Sequence, residues 1–406
     1  MMRPDAMLSQ VKLAKERIRD FICYTPCQYS ADLSGITGQQ VFLKLDNLQR
    51  TGAFKERGAL NKILLLSDEE KRRGIVAASA GNHAQAVAFH AAERNIRAQI
   101  VMPLMTPLVK VSATRGYGAD VVLHGANYDE AYAEALRRGK EQGMTFLHPF
   151  DDLDIIHGQG TIGLELLEQV PDIEAVVIPI GGGGLISGVA GAMKEAHPSI
   201  RVIGVQTERL PSMLKACEAG KPVTIPAEAT IADGIAVRRA GDLTLPLVQR
   251  YVDEIVTVDE EEIASAILVL LEREKTLAEG AGAVALAALL HRKTSLAAQK
   301  TAVLVCGGNI DVSLLARIIE RGLVKDGRRV RIRVHLSDRP GALHQLTKIL
   351  AEQQANIVET LHNRAHYGVN LGDTVIDITL EARGSAHIQT ISTALKEAGY
   401  KFERIQ

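Results

Sequence analysis

Residues 52–59 read Gly52-Ala53-Phe54-Lys55-Glu56-Arg57-Gly58-Ala59, which places a lysine at the start of a predicted helix, directly after an aromatic ring. A lysine amine is a nucleophile only when it is unprotonated, and desolvation or nearby positive charge favours that state. Phe54 supplies an apolar wall beside Lys55. The stretch therefore indicates a Schiff-base lysine, and the alternative is an ordinary surface lysine on an amphipathic helix.

Four consecutive glycines lie between a predicted strand and a predicted helix, in the run Gly181-Gly182-Gly183-Gly184-Leu185-Ile186-Ser187-Gly188. Glycines let backbone N–H groups close on an anion, and a helix N-terminus adds positive potential. The run has neither the lysine of a Walker A loop nor the G-x-G-x-x-G spacing of a dinucleotide site. It favours the phosphate of a small cofactor, and a purely structural tight turn is the alternative.

Two further polar segments follow predicted strands, Ser79-Ala80-Gly81-Asn82-His83-Ala84-Gln85 and Cys306-Gly307-Gly308-Asn309. At the first, backbone N–H groups can bind a carboxylate and an Asn can donate to a cofactor oxygen. The second lies at the carboxyl end of its strand, the edge at which open α/β sheets bind ligands. The alternatives are a helix N-cap by Ser79 or Asn82 and a buried strand cysteine at Cys306. Together with Lys55 and the glycine run, these segments suggest pyridoxal phosphate (PLP) chemistry.

Short apolar runs alternate with helical patterns over the first three quarters of the chain. Strands are predicted at residues 40–44, 74–78, 98–102, 120–123, 175–180, 201–206 and 301–306. This alternation predicts parallel sheets with crossover helices, and therefore an α/β fold of open sheets.

The C-terminal residues follow a different pattern. Strands at 330–336, 357–364, 374–380 and 400–405, with helices at 341–353 and 386–398, give a βαββαβ order typical of a ferredoxin-like unit. The charged stretch Arg321–Arg329 before them is interpreted as a linker.

Composition narrows the class of protein. The chain has 406 residues and a formal net charge of −1, so no global field directs it to nucleic acid or an acidic membrane. It contains no apolar run of transmembrane length, and its first residues lack the apolar core of a secretory signal. Four cysteines in no zinc-like spacing are interpreted as free thiols. These features favour a cytoplasmic enzyme without partners among nucleic acids or membranes.

The motifs resemble those of the fold-type II (tryptophan synthase β-like) PLP enzymes, and among them the threonine/serine dehydratase, or ammonia-lyase, group. The resemblance covers residues 5–325. The tail, with Asp338-Arg339-Pro340-Gly341-Ala342-Leu343, resembles an ACT domain, a module that commonly binds amino acids. The combination is similar to the medium-length threonine ammonia-lyases. It implies elimination of L-threonine to 2-oxobutanoate and ammonia, and of L-serine to pyruvate.

The resemblance also implies roles for individual residues. Lys55 would carry PLP, Phe54 would line the cofactor and Asn82 would bond its 3′-oxygen. Cys306 would face the pyridine nitrogen. The other implied contacts are the substrate carboxylate on Ser79, Ala80, Gly81, Asn82 and His83, the phosphate on Gly181, Gly182, Gly183, Gly184 and Leu185, and a cofactor loop at Ile231–Val237 that includes Gly234.

The resemblance further implies a division of the chain. The ranges are a large PLP-binding α/β domain at 1–50 and 152–326, a small α/β domain at 51–151, a linker at 327–330 and an ACT domain at 331–406. In the tail, Arg339, Pro340, Gly341, Ala342 and Asn356 are candidates to bind an amino-acid effector such as isoleucine, valine or leucine. The alternative is a tail that only mediates assembly. The resemblance implies a homodimer or homotetramer.

Some positions depart from the family pattern and leave other activities open. Serine racemases have a serine where this chain has Ala80, so elimination ranks above racemisation. The racemase metal positions fall at Gln206, Leu210 and Ser212, and we predict no metal there. Cys306 stands where threonine dehydratases often have serine. Elimination of L-serine or 3-hydroxyaspartate and a non-catalytic amino-acid-binding regulator remain alternatives.

Overall fold

The computed structural model describes residues 6–297, 299–363 and 372–405. Their helices are Ala6–Ile18 (α1), Ala31–Thr37 (α2), Lys55–Leu65 (α3), Asp68–Arg73 (α4), Asn82–Ala92 (α5), Leu108–Gly116 (α6), Tyr128–Gln142 (α7), Leu153–Gln169 (α8), Gly184–Ala196 (α9), Ser212–Ala219 (α10), Thr244–Tyr251 (α11), Glu260–Glu272 (α12), Gly280–Leu290 (α13), Val312–Lys325 (α14), Ala342–Glu352 (α15) and Ser385–Glu397 (α16).

The strands belong to three sheets. They are Cys27–Ser30 (β1), Gln40–Leu45 (β2), Ile75–Ala78 (β3), Ala98–Met102 (β4), Asp120–Leu123 (β5), Thr145–Phe146 (β6), Ala175–Pro179 (β7), Arg201–Thr207 (β8), Glu254–Val258 (β9), Lys300–Val305 (β10), Arg329–Ser337 (β11), Asn356–Asn363 (β12), Asp373–Glu381 (β13) and Lys401–Arg404 (β14). Residues up to Asp311 form one compact unit, and residues from Val312 form a second.

The first unit contains two open sheets. The larger has the strand order β1-β2-β10-β7-β8-β9, and all its neighbours are parallel except β1 and β2. The smaller has the order β5-β4-β3-β6 and is fully parallel. Every residue of β7 is buried, as expected for a parallel strand covered on both faces. The predicted α/β class of open parallel sheets is confirmed.

A buried ion network anchors α3, the helix that begins at Lys55. The Arg57 guanidinium donates to both carboxylate oxygens of Asp46, at 2.7 and 2.9 Å, and to both of Glu165, at 2.6 and 2.9 Å. Lys44 donates to Glu165 at 2.6 Å. Removing one partner from such a network leaves an uncompensated buried charge, so β2, α3 and α8 are held in one arrangement.

The second unit contains an antiparallel sheet of order β12-β13-β11-β14. Alternate residues of β11 pack with apolar residues of α15 and α16, including Leu346 and Ile391, to form its core. The predicted βαββαβ unit is present in the described residues. Arg364, which the sequence places in the second strand, lies outside them.

The predicted linker at Arg321–Arg329 is wrong for most of its length. Residues up to Lys325 belong to α14, β11 begins at Arg329, and only residues 326–328 connect the two. Two of the charged side chains that suggest a linker, Arg321 and Lys325, belong to an amphipathic helix whose Ile318 is buried. The domain boundaries themselves remain predictions.

No helix in the described part of the chain is long and apolar enough to cross a membrane.

Candidate active site

The stretch before Lys55 is hydrogen-bonded to the residues that follow β10. The backbone N–H of Phe54 donates to the Cys306 carbonyl at 3.0 Å, and the N–H of Gly308 donates to the Gly52 carbonyl at 2.8 Å. Gly52 has a φ of +77°, a conformation that favours glycine. These bonds place the first residue of α3 beside the strand end that carries Cys306.

The Lys55 side chain is half-buried. Its Nζ donates to the Pro149 carbonyl at 2.6 Å and lies 5.2 Å from the centroid of the Phe54 ring. Burial lowers the pKa of Lys55 to about 8, against the opposing effects of Cys306 and Glu279. About one tenth of the amine is therefore unprotonated at pH 7, which is the form that a nucleophile or base requires.

The four glycines form the turn from β7 into α9. Gly183 has a φ of +99° and precedes the helix, whose first backbone N–H groups have no acceptor within the helix. A Cβ on Gly182 would overlap the ring of Phe150, and one on Gly184 would lie 2.7 Å from the Phe150 carbonyl. Since Pro149 accepts from Lys55, residues 149 and 150 join the lysine to the glycine turn.

The segment from Ser79 to His83 enters α5 after β3. Gly81 occupies the N-cap position of α5, and no side chain makes a capping hydrogen bond there. The alternative prediction that Ser79 or Asn82 is the N-cap is therefore wrong. The Ser79 hydroxyl instead accepts from the Gly81 N–H at 3.2 Å. Gly81 faces open space, since a Cβ there would meet nothing within 4 Å.

The His83 side chain is buried. Its Nε2 lies 3.0 Å from the Leu147 carbonyl, which only accepts, so Nε2 carries the proton. Burial, together with Lys55, lowers the pKa of His83 to about 3. The side chain is neutral, and any contribution of His83 to carboxylate binding falls to its backbone N–H.

Cys306 is buried and neutral. Its thiol lies 3.5 Å from the Ala281 carbonyl, and burial raises its pKa well above the usual value for a thiol. Gly234 lies nearby, because a Cβ on it would be 2.9 Å from Ala281 and 3.2 Å from the Glu279 carboxylate. Cys306 and the loop at Gly234 therefore converge on the start of α13.

Sequence reasoning missed two side chains that contact Asn82. Glu279 accepts from Asn82 Nδ2 at 2.6 Å, and Asn309 Nδ2 donates to Asn82 Oδ1 at 2.8 Å. Burial and Asp233 raise the pKa of Glu279 to about 7. Asn309 belongs to the motif after β10, so the sequence weakly indicated its role. Glu279 follows a loop that contains no recognisable motif.

The candidate effector residues do not meet within one chain. Arg339, Pro340, Gly341 and Ala342 follow the end of β11 at Ser337, whereas Asn356 pairs with Glu381 at the opposite end of the sheet. Arg329, at that far end, is eight residues from Ser337, or about 26 Å at roughly 3.3 Å per residue. Asn356 itself donates to Glu381 at 2.9 Å.

Comparison with known proteins identifies the family. Residues 18–308 match the family model described as pyridoxal-phosphate dependent enzyme, and residues 330–399 match the ACT domain. The chain belongs to the pyridoxal-phosphate-dependent enzymes. Its fold is the fold-type II arrangement followed by an ACT domain, and PLP is its cofactor.

Two relatives of this PLP enzyme match it over nearly its whole length. The L-threonine ammonia-lyase of Thermotoga maritima is 50% identical over 394 residues, covering 97% of this chain and 98% of that protein. The L-threonine ammonia-lyase of Geobacter sulfurreducens is 48% identical over 390 residues, covering 96% and 97%.

Solved structures share the fold of the first unit. Threonine deaminase isoform 2 from Solanum lycopersicum superimposes with a TM-score of 0.75 at 37% identity, covering 78% of this chain and 87% of that one. Maize serine racemase gives a TM-score of 0.74 at 37% identity, covering 78% and 98%.

The residues present fit PLP. A half-buried amine of lowered pKa suits the aldehyde, and a glycine turn at a helix N-terminus suits the phosphate. The Asn82 amide and the neutral Cys306 thiol suit the polar atoms of the ring. The predicted absence of a metal site stays a prediction, and the described residues contain no cluster of three or more metal-binding side chains.

Proposed function

We propose that this PLP enzyme catalyses the α,β-elimination of L-threonine to 2-oxobutanoate and ammonia, and of L-serine to pyruvate, with Lys55 as the residue bonded to PLP. The half-buried Lys55 amine, with its pKa lowered to about 8, carries the proposal. The names of the two relatives at 50% and 48% identity support L-threonine as the substrate.

Lys55 has two tasks in this reaction, attachment of the cofactor and removal of the substrate α-proton. Bound PLP withdraws electrons from the α-carbon. The unprotonated Lys55 Nζ then accepts the α-proton, and the Pro149 carbonyl orients it through the 2.6 Å hydrogen bond. Elimination releases one water from the β-carbon, and hydrolysis of the resulting enamine consumes one water. Threonine therefore gives 2-oxobutanoate and ammonia with no net change in water.

Two neutral side chains favour elimination over competing outcomes. A neutral Cys306 thiol stabilises a protonated ring nitrogen less than a carboxylate does, which limits charge in the ring and favours loss of the β-hydroxyl over transamination. Ala80 has no hydroxyl to deliver a proton to the opposite face of the α-carbon. Elimination is therefore favoured over racemisation.

The segment at the start of α5 is suited to the substrate carboxylate. Gly81 leaves space in front of backbone N–H groups at a helix N-terminus, where an anion is favoured. This assignment uses the backbone of Gly81, Asn82 and His83 rather than the His83 ring.

Purified protein tests the reaction directly. We expect a visible absorption band of bound PLP, release of 2-oxobutanoate from L-threonine, and a borohydride-trapped adduct on Lys55. Lys55→Ala should abolish the adduct and the activity, whereas Lys62→Ala in the same helix should retain both. Adduct on another lysine would overturn the assignment of Lys55. A band with product only from serine or 3-hydroxyaspartate, or with racemisation alone, would overturn the choice of threonine.

We further propose that the ACT domain binds an amino-acid effector and that the enzyme is a homodimer or homotetramer. Because Asn356 and the Arg339–Ala342 turn lie at opposite ends of the sheet, one effector site using both would take them from two copies of the chain. Activity would be measured with isoleucine, valine and leucine, in the full chain and in a chain ending at Asp311. An unchanged response after truncation would overturn the regulatory role.

A further inference from the structure

Glu279 occupies an unusual position at the start of α13. It is the N-cap residue, yet its side chain makes no capping bond. N-cap side chains are usually short ones whose oxygen accepts from the first helical N–H groups. The Glu279 carboxylate instead accepts from Asn82, and the residue is only 4% exposed. Burying a carboxylate against a neutral amide is costly, so packing alone does not account for it.

Two glycines leave the space that this carboxylate occupies. A Cβ on Gly307 would overlap Glu279 Oε1 and lie 3.2 Å from Asn82 Nδ2. A Cβ on Gly234 would lie 3.2 Å from the same carboxylate oxygen. The loops after β10 and before α11 therefore both accommodate the contact between Glu279 and Asn82.

Asn309 contacts the other end of the Asn82 amide. Its Nδ2 donates one hydrogen to the Thr51 carbonyl at 2.7 Å and the other to Asn82 Oδ1 at 2.8 Å. A carbonyl only accepts, so the Thr51 bond fixes which end of Asn309 faces Asn82. Thr51 lies just before the Lys55 stretch, so the contact connects both motifs.

These contacts determine the orientation of the Asn82 amide. Its oxygen accepts from Asn309, one of its N–H groups donates to Glu279, and one N–H remains. Rotating the amide by 180° would set the amino groups of Asn82 and Asn309 against each other. It would also set the Asn82 oxygen against the Glu279 carboxylate. The Asn309 end opposes the rotation at any pH, and the Glu279 end opposes it when the carboxylate is ionised.

We propose that Glu279 and Asn309 are positioning residues that fix the Asn82 amide, so that its remaining N–H points to an acceptor oxygen on the cofactor ring. The inference rests on the proposed function, in which Asn82 binds PLP. Neither residue needs to touch the cofactor, because each acts through Asn82.

A double-mutant cycle on cofactor affinity tests this. The PLP affinity of apo-protein would be measured from the absorption of the bound cofactor for wild type, Asn82→Ala, Asn309→Ala and the double variant. We expect each single variant to bind roughly five- to tenfold more weakly, as for the loss of one hydrogen bond. The double variant should bind no more weakly than Asn82→Ala. Losses that multiply would overturn the proposal.

Glu279 is tested by a pair of variants with different hydrogen-bonding ability. Glu279→Gln keeps an acceptor for Asn82, and its PLP affinity should stay within about twofold of wild type. Glu279→Leu removes the acceptor and should match the loss of Asn309→Ala. Equal losses for both variants would show that the charge rather than the orientation matters, and would overturn the role of Glu279.

Controls separate this inference from the proposed function. Asn61→Ala removes a buried amide that donates to the Asp154 carbonyl at 2.7 Å, and should leave PLP affinity unchanged. Far-ultraviolet circular dichroism of each apo-variant checks folding. If wild type shows no PLP adduct on Lys55, the proposed function fails. If the adduct forms but the cycle is multiplicative, only the positioning role fails.

Discussion

Burial rather than pairing controls the ionisation of the main side chains at the candidate site. It lowers the pKa of Lys55 to about 8 and of His83 to about 3, and it raises the pKa of Glu279 to about 7. In each case burial favours the neutral form, as expected when charged groups lose their hydration. Around neutral pH Lys55 is still mostly protonated and Glu279 is about half ionised, so both can change charge in this range, whereas His83 is neutral.

The lowered pKa of Lys55 predicts how the rate of cofactor attachment depends on pH. Only the unprotonated amine attacks PLP, and with a pKa of about 8 roughly one tenth of it is unprotonated at pH 7. We expect the rate of covalent PLP incorporation into apo-protein to rise up to about pH 8 and then level off. Stopped-flow absorbance measures that rate. Lys62→Ala should keep the profile, and a rate independent of pH would contradict the prediction.

The raised pKa of Glu279 predicts how the stability of the apo-protein depends on pH. Its pKa is raised from 4.5 to about 7, so the folded state holds a proton that the unfolded state releases between those values. The stability of apo-protein should therefore fall as pH rises through this window, by about 3 kcal/mol in total. Glu279→Gln should flatten the fall in Tm between pH 5 and pH 8. The exposed Glu208→Gln serves as the control, and an equally steep fall in Glu279→Gln would refute this.

Close packing of α3, α8 and α9 supports the site. A Cβ on Gly160 of α8 would lie 2.8 Å from the Gly188 carbonyl of α9, and a Cβ on Gly158 would lie 2.6 Å from the Arg57 carbonyl of α3. Glycines allow these backbones to approach where any larger residue would separate them. Because α9 begins at the glycine turn and α3 at Lys55, their contacts with α8 hold both parts of the site in place.

Gly188→Ala tests that packing. Its Cβ would overlap the Ile156 carbonyl and lie 2.7 Å from the Gly160 nitrogen, so the helices must move apart. We expect a loss of about 1–3 kcal/mol in the free energy of unfolding. Gly35→Ala in α2 is a matched control, because its Cβ meets nothing within 4 Å and alanine favours a helix by about 0.5–1 kcal/mol. Urea unfolding measures both, and equal stability of the two variants would argue against the packing role.

For the whole molecule, the boundary between the compact units falls between Asp311 and Val312. The buried Ile318 lies in α14, which belongs to the second unit with β11. A truncation at the predicted linker would leave α14 attached to the first unit without that neighbour. The exact end point of a truncated chain therefore matters.

We predict different behaviour for two truncations. A chain ending at Asp311 should keep the absorption band of bound PLP and remain monodisperse. A chain ending at Asp326 should associate more, because it exposes the apolar face of α14. Size-exclusion chromatography of both, beside the full chain, measures this. If the chain ending at Asp326 is as monodisperse as the chain ending at Asp311, α14 does not need β11 to cover its apolar face.

By itself, the sequence determined the α/β class, the ACT unit and the positions of Lys55, the glycine turn and Cys306. These features depend on local patterns, because hydrophobic period and glycine placement specify strands, helices and turns within a few residues.

Only the tertiary structure brought Glu279 and Asn309 to Asn82, joined Arg57 to Asp46 and Glu165, and separated Asn356 from the Arg339–Ala342 turn. It also showed that residues 321–325 of the predicted linker belong to α14. Contacts between residues far apart in the chain depend on strand order and helix packing, and so does the burial that shifts each pKa. No local pattern of residue types contains that information.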